Sequence, residues 1–340
     1  MALVESSSSI PTVGTLWGGI GGGMLGFTDA GFHPWWAIDD RSFIGMKYFN
    51  KSWDLYLSRM DDARQLMQPP KLFQTAEMFA LCPVDVLVGS PACKAFSSLA
   101  IRKKDRKETA ENTPQDLEFV RFLDFVRITK PKVFVLENLR KVFDYIQFDG
   151  QTNNVVTITG DALVNLSDYH VTIFPDINTT DYGVPQSRRR MFWIGVRADI
   201  GCHVPNIHQV ENRQVEPRTA RWALENLDPD LPNQEVSKHS QERIDGFARL
   251  KPGQSYYGTQ NNKRIHLDRP GPTITSHRTQ YVHPTEPRVL TVRECARIMG
   301  YPDSFEFFGP RTKQYDQVGC GISPRLAQVI ATHIRNELEL

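Results

Sequence analysis

Thr12-Val13-Gly14-Thr15-Leu16-Trp17-Gly18-Gly19-Ile20-Gly21-Gly22-Gly23 is the stretch that decides the fold. Thr12–Trp17 is rich in β-branched and apolar side chains and reads as a strand. The glycines then break the pattern before a helical segment. A second apolar run, Trp35–Ile38, reads as the next strand and ends in Asp39 and Asp40. Outward from this unit the alternation continues. Val84–Val88 reads as a buried strand running into Gly89-Ser90-Pro91. Leu117–Thr129 has helical spacing through Leu117, Val120, Leu123 and Val126, and Val133–Leu136 is another short strand. Ala162–Leu166 reads as part of a helix, and Val171–Phe174 and Met191–Val196 as strands. Strand–helix alternation of this kind predicts a doubly wound α/β sheet, which binds ligands at the carboxyl ends of its strands. The motifs that carry chemistry fall at those ends.

The chain's 340 residues suit one large domain and a smaller one. Its 40% hydrophobic and 23% charged residues are those of a globular protein. No apolar run approaches the roughly 20 residues that span a bilayer, so no membrane is expected. The five cysteines are widely spaced with no CxxC, which argues against a disulfide framework or zinc ribbon and for a reducing, cytoplasmic setting. No metal site is expected. The net charge of +1 gives no bulk attraction to nucleic acid. Local clusters would have to supply it: Arg102, Lys103, Lys104, Arg106 and Lys107, or Arg188, Arg189 and Arg190. Either cluster also reads as ordinary solvated surface. Near Ala198 the sequence turns polar and irregular, and apolar pattern returns at Pro272–Thr275, Val289–Met299 and Leu326–Ile334. The expected division is a catalytic and cofactor-binding domain over 10–197, a small domain over 198–267, and a return to the first domain over 268–340.

Four motifs carry chemistry. In the glycine-rich turn, Gly19, Ile20, Gly21 and Gly22 let the backbone approach a ligand, and the following helix N-terminus favours an anionic group. With Asp39 and Asp40 placed to hold ribose hydroxyls, the unit suits an adenosine-containing cofactor. In Gly89-Ser90-Pro91-Ala92-Cys93-Lys94-Ala95-Phe96-Ser97, a cysteine stands on a loop just past a strand, with cations nearby that favour a thiolate. In Val133-Phe134-Val135-Leu136-Glu137-Asn138-Leu139, an acid ends a buried strand, as a proton donor or as a helix cap. In Gln186-Ser187-Arg188-Arg189-Arg190, alternate arginines entering a strand project to one face and suit bidentate bonding to a base carbonyl or phosphate.

The order and spacing of these motifs resemble the DNA cytosine-C5 methyltransferase family. Trp17 and the glycines resemble its FxGxGG cofactor motif, and the Cys93 segment its PCQ loop. Glu137-Asn138-Leu139 resembles its ENV motif, and Gln186, Arg188 and Arg190 its QxRxR motif. Arg269-Pro270 through Gly300-Tyr301-Pro302-Asp303 resembles the ninth motif, and Gln317-Val318-Gly319-Cys320-Gly321 the tenth.

The resemblance implies a Rossmann-like S-adenosylmethionine-dependent methyltransferase sheet with a small target-recognition domain. Its substrate is then a cytosine flipped out of double-stranded DNA. It assigns the thiolate to Cys93, the group at cytosine N3 to Glu137, and the hold on O2 and the Cys93 loop to Arg188 and Arg190. Trp17, Gly19, Ile20, Gly21, Gly22, Asp39, Asp40, Pro91, Cys320 and Gly321 would hold S-adenosyl-L-methionine, and Lys94, Ser97, Asn138 and Gln186 would face the DNA. A monomer is expected, with a cognate restriction endonuclease as a candidate partner and a bacterial or phage source. The third-strand acid of the family has Glu77 as its nearest candidate.

Four positions depart from the family: Ala92 for proline, Lys94 for glutamine, Cys320 for asparagine and Met299 for glutamine. Lys94 and Cys320 raise an alternative, transfer of a modified methyl from carboxy-S-adenosylmethionine. A catalytically silent DNA- or cofactor-binding relative is a second alternative, against which stand Cys93 and Glu137. An RNA-directed relative would carry Cys-Phe-Thr in the 198–267 segment, and it does not.

Overall fold

The structure, a computed structural model, describes residues 10–38, 56–57, 83–91, 114–140, 166–210, 216–256, 262–275 and 281–340. Asp39, Asp40, Glu77, the Ala92–Ser97 segment with Cys93 and Lys94, the basic run Arg102–Lys107 and most of the Ala162–Leu166 helix lie outside the described residues.

In chain order the elements begin with β1 (Thr12–Leu16), α1 (Gly22–Asp29), β2 (His33–Ile38), β3 (Tyr56–Leu57) and β4 (Val86–Gly89). They continue with α2 (Pro114–Thr129), β5 (Val133–Leu139), β6 (Tyr169–Asn178) and β7 (Arg189–Arg197). These seven strands form one sheet in the order β3-β2-β1-β4-β5-β7-β6. All neighbours are parallel except β7, which runs antiparallel to both β5 and β6. The doubly wound α/β sheet expected from the sequence is therefore present, closed at one edge by an antiparallel hairpin.

A sheet covered on both faces buries alternate residues in two separate cores, so its strands read as unbroken apolar runs. On one face Val13, Val86, Val88, Val133 and Val135 pack with Met24 and Phe27 of α1. On the other, Leu87, Phe134, Leu136 and Trp193 pack with Phe122, Phe125 and Val126 of α2. The Asp85 carboxylate locks the amino ends of two strands. It accepts from the Thr12 amide at 2.7 Å and the Thr12 hydroxyl at 2.9 Å, and Lys132 Nζ stands 2.7 Å away.

The chain then forms α3 (Ala220–Leu224), α4 (Gln241–Ala248), β8 (Ser255–Tyr256), β9 (Asn262–Arg264) and β10 (Tyr281–Val282), followed by α5 (Val292–Met299), α6 (Arg311–Gly319) and α7 (Pro324–Glu337). Strands β8–β10 make a small second sheet. Among its described residues the segment 198–267, irregular by pattern, holds two short α-helices, a 3-10 turn at Ile207–Gln209 and two short strands, each too short for periodicity to reveal. Pro272–Thr275 forms no regular element. Packing does not break at residue 267 either: Ala220, Ala223 and Ile265 share one cluster with Ile274, Leu290 and Val318, and Ile20 and Leu25 join it. Helix α5 starts with a capping box between Thr291 and Glu294. Helix α7 returns the chain to the first sheet, where Leu326, Ala327, Ile330 and Ile334 join the core around α1.

Candidate active site

The glycine-rich turn follows β1 because the chain must reverse between a strand end and a helix start. Gly19 (φ 62°) and Gly21 (φ 94°) take left-handed backbone that a side chain resists. Trp17, read from sequence as the last strand residue, has already left it at φ 51°. Its amide donates to the Ile38 carbonyl at 2.8 Å, which ties the carboxyl ends of β1 and β2 together. The Trp17 ring is buried in the core beneath the turn, and Ile20 is fully buried toward the α5 cluster.

The glycines divide by task. A Cβ on Gly22 would collide with the Ile322 carbonyl oxygen, and one on Gly26 would lie 2.5 Å from Ala327 Cβ. Those two exist so that α1 can pack on α7. Gly18 and Gly19 instead meet the C-terminal motif: a Cβ on Gly19 would stand 3.4 Å from Cys320 Cβ, and one on Gly321 3.1 Å from the Gly18 carbonyl oxygen. Cys320 and Gly321 therefore form a wall of the glycine cradle. At its floor Gly21 is the N-cap of α1 and supplies no side-chain cap, which suits backbone amides there to an anionic group.

At the carboxyl ends of β4 and β5 stands Glu137, only 4% exposed. Its Oε2 accepts a hydrogen bond from Ser90 Oγ at 2.6 Å, and its Oε1 lies 2.8 Å from Arg190 Nε. The register explains the pairing. Glu137 faces Phe192 across the antiparallel β5–β7 ladder, so Arg190 is its diagonal same-face neighbour. Ser90, to which the sequence reading gives no role, directly follows β4 and precedes buried Pro91. Its position directly after an apolar strand was the available signal.

The alternate spacing puts Arg188 and Arg190 on one face, and the structure gives them different partners. The buried Arg188 donates to the carbonyls of Ile274 and Gly321, both at 3.1 Å. One side chain thus ties the QSRRR segment to the Pro272–Thr275 segment and to the cradle wall. The same two segments also pair through their backbones, with the Ser187 amide on Gly271 and the Gly271 amide on Pro185, both at 2.8 Å.

Two residues expected at the DNA face turn inward. Asn138 accepts from the next backbone amide, Leu139, at 2.8 Å. Gln186 is fully buried, its side-chain amide without a hydrogen-bond partner among the described residues. Tyr301 is a further residue the sequence reading left without a role. Its buried hydroxyl, lacking a hydrogen-bond partner among the described residues, stands at the start of α1 beside Gly22, and burial pushes it well above the usual phenol range. Among the described residues, no group of acids, histidines and cysteines could hold a metal, and no helix is long and apolar enough to cross a membrane.

Known proteins are similar to this chain along nearly its whole length. A family description, C-5 cytosine-specific DNA methylase, matches residues 12–336. The type II methyltransferase M1.HphI of Haemophilus parahaemolyticus is 29% identical over 336 residues, 93% of this chain and 84% of that protein. The type II methyltransferase M.DdeI of Desulfomicrobium norvegicum is 28% identical over 383 aligned residues, 94% of this chain and 87% of that one. In fold, the chain is similar to the methyltransferase EhMeth of Entamoeba histolytica, with a TM-score of 0.67 at 15% identity over 97% of this chain and 99% of that one.

Proposed function

Because the chain belongs to the C-5 cytosine-specific DNA methylase family, and is thus a DNA cytosine-5-methyltransferase, we propose that it acts on a base flipped out of duplex DNA, with Cys93 as nucleophile and Glu137 at the ring nitrogen. The observation that carries this reading is the Glu137 carboxylate, gripped by Ser90 and Arg190, with Ser90 three residues before Cys93 in the sequence.

C5 of cytosine is a poor nucleophile. A thiolate adding to C6 forms a C–S bond and turns C5 into an enamine-like carbon that can take an electrophilic carbon, dividing one hard step into easier ones. Negative charge then builds on the ring. In its protonated form Glu137 passes its proton to N3 as that charge builds and takes it back when the ring is restored; Arg190, 2.8 Å from its Oε1, fixes the carboxyl group's direction and is assigned to the O2 side of the base. Loss of the C5 proton and of the thiolate restores the aromatic ring. A base stacked in a duplex exposes none of these atoms, so flipping at a cost of a few kcal/mol precedes addition.

S-adenosylmethionine supplies an activated methyl on a sulfonium when bound. The cradle suits it: Gly18 and Gly19 carry no side chain, Cys320 and Gly321 line it, and the uncapped start of α1 fits a carboxylate. Arg188 positions that wall and is a positioning residue. The segment 198–267, which contributes β8 and β9, would take the place of the target-recognition region, where a few base-edge contacts would read sequence. A carboxylated cofactor is the finer alternative that Lys94 raises, and tighter binding of the carboxylated form in competition is what it requires.

DNA carrying 5-fluorocytosine tests the central assignment, because fluorine at C5 cannot leave as a proton does and the Cys93 adduct should persist. A covalent complex that maps to Cys93 is expected. A complex that forms equally with Cys93→Ala would overturn the assignment.

A further inference from the structure

Away from Glu137, a cavity of about 440 Å³ opens between α3, the Gly300–Asp303 turn and the start of α7. Arg218, Trp222, Arg325 and Asp29 line it, and Tyr301 separates it from the glycine cradle. Arg218 stacks its guanidinium over the Trp222 ring, 4.1 Å from the centroid. Trp222 is 53% exposed, although large aromatics at a surface are usually covered. Neither Arg218 nor Arg325 has a carboxylate partner among the described residues. Arg325 gives one terminal nitrogen to Gln328 Oε1 at 2.7 Å, and its Nε is buried with no acceptor. Burial and then the neighbouring Arg325 charge push Arg218 down. Two like charges thus share a concave wall without a counter-ion.

The cavity's carboxylates do not answer this. Asp303 is held bidentate by Arg297 at 2.6 and 2.7 Å, and Glu225 faces Arg221 at 3.3 Å. Asp29 stands exposed on the rim. A guanidinium stacked on an aromatic ring keeps its in-plane N–H donors aimed outward, the geometry that accepts two oxygens of one anion. Arg325 adds a second fork.

We propose that this cavity is a binding site for a phosphate group, gripped by Arg218 and Arg325 above Trp222. The proposal stands apart from the methyl-transfer assignment and does not depend on it. A phosphate here comes either from a DNA backbone beyond the flipped base or from a free phosphate compound.

Arg218→Gln, Arg325→Gln and the double variant test it on the full chain, with melting temperature confirming that each folds. Inorganic phosphate is titrated by calorimetry at constant ionic strength, and DNA affinity is measured across salt concentration. For a free phosphate, saturable binding should weaken about tenfold or more in each single variant, with the DNA salt slope unchanged. For a DNA phosphate, the slope of log affinity against log salt should fall by about 0.9 per arginine removed. Folded variants that match the wild type in both measurements overturn the proposal.

Discussion

Glu137 is the residue on which the proposed chemistry turns, and its two grips separate by experiment. Glu137→Gln keeps the shape and the Ser90 contact but cannot hold the N3 proton in the same way. The turnover number for methyl incorporation should fall by about 10²- to 10⁴-fold, with the melting temperature little changed. Ser90→Ala removes one hydrogen bond and should cost only about tenfold. At Arg188 the expected loss is different. Its guanidinium satisfies two buried carbonyls 86 and 133 residues away. Arg188→Lys cannot bridge both, because an ammonium lacks the planar fork. Stability in urea should drop by about 1–3 kcal/mol, and the KM for the cofactor should rise more than turnover falls. The alternate spacing of Arg188 and Arg190 was legible in the sequence, and so was the acid after Val133–Leu136. Which arginine meets the acid and which meets the wall was not. That follows from the β5–β7 register and from Gly321 arriving through a tertiary contact.

Among elements, the strand–turn–helix unit at 12–29 was legible because its residues fit one face-burying pattern and its glycines stand at the break. The division of labour among those glycines was not legible, since it depends on α7, some 300 residues later. Gly26→Ala tests that division. The added methyl meets the α7 backbone at Pro324 and Ala327 Cβ, so unfolding free energy should fall by about 1–3 kcal/mol with cofactor affinity nearly intact. Asp85 supports a pH prediction at the same scale. Burial alone would raise its carboxyl, but the Lys132 ammonium and the two Thr12 donors outweigh that and the net shift is downward. The folded value thus lies below the unfolded one of about 3.9. Its contribution is fully present above that value and is lost as pH falls through the lower folded one. Asp85→Asn should therefore flatten the stability profile below about pH 4 and leave a constant deficit above it. A wild-type slope retained there by the variant would contradict this account. The short elements of 216–282 escaped sequence reading because runs of two to eight residues carry too little periodicity, and their cluster with Ile274 and Leu290 is set by contacts across the chain.

For the whole molecule, the return of the C-terminal helix makes the glycine cradle, the proposed cofactor site, a joint product of the first and last segments. Binding there should bridge both ends of the chain. S-adenosylmethionine at about 100 times its dissociation constant should add about 2.7 kcal/mol to stability, and Arg188→Lys should need more cofactor to gain the same amount. The most direct test of the central claim is product analysis. Purified protein is incubated with unmodified duplex DNA and S-adenosylmethionine, and the DNA is digested to nucleosides and weighed by mass spectrometry beside a folded Cys93→Ala control. The account predicts 5-methylcytosine from the wild type and none from the variant. Equal 5-methylcytosine from both, or none from the wild type, would contradict it.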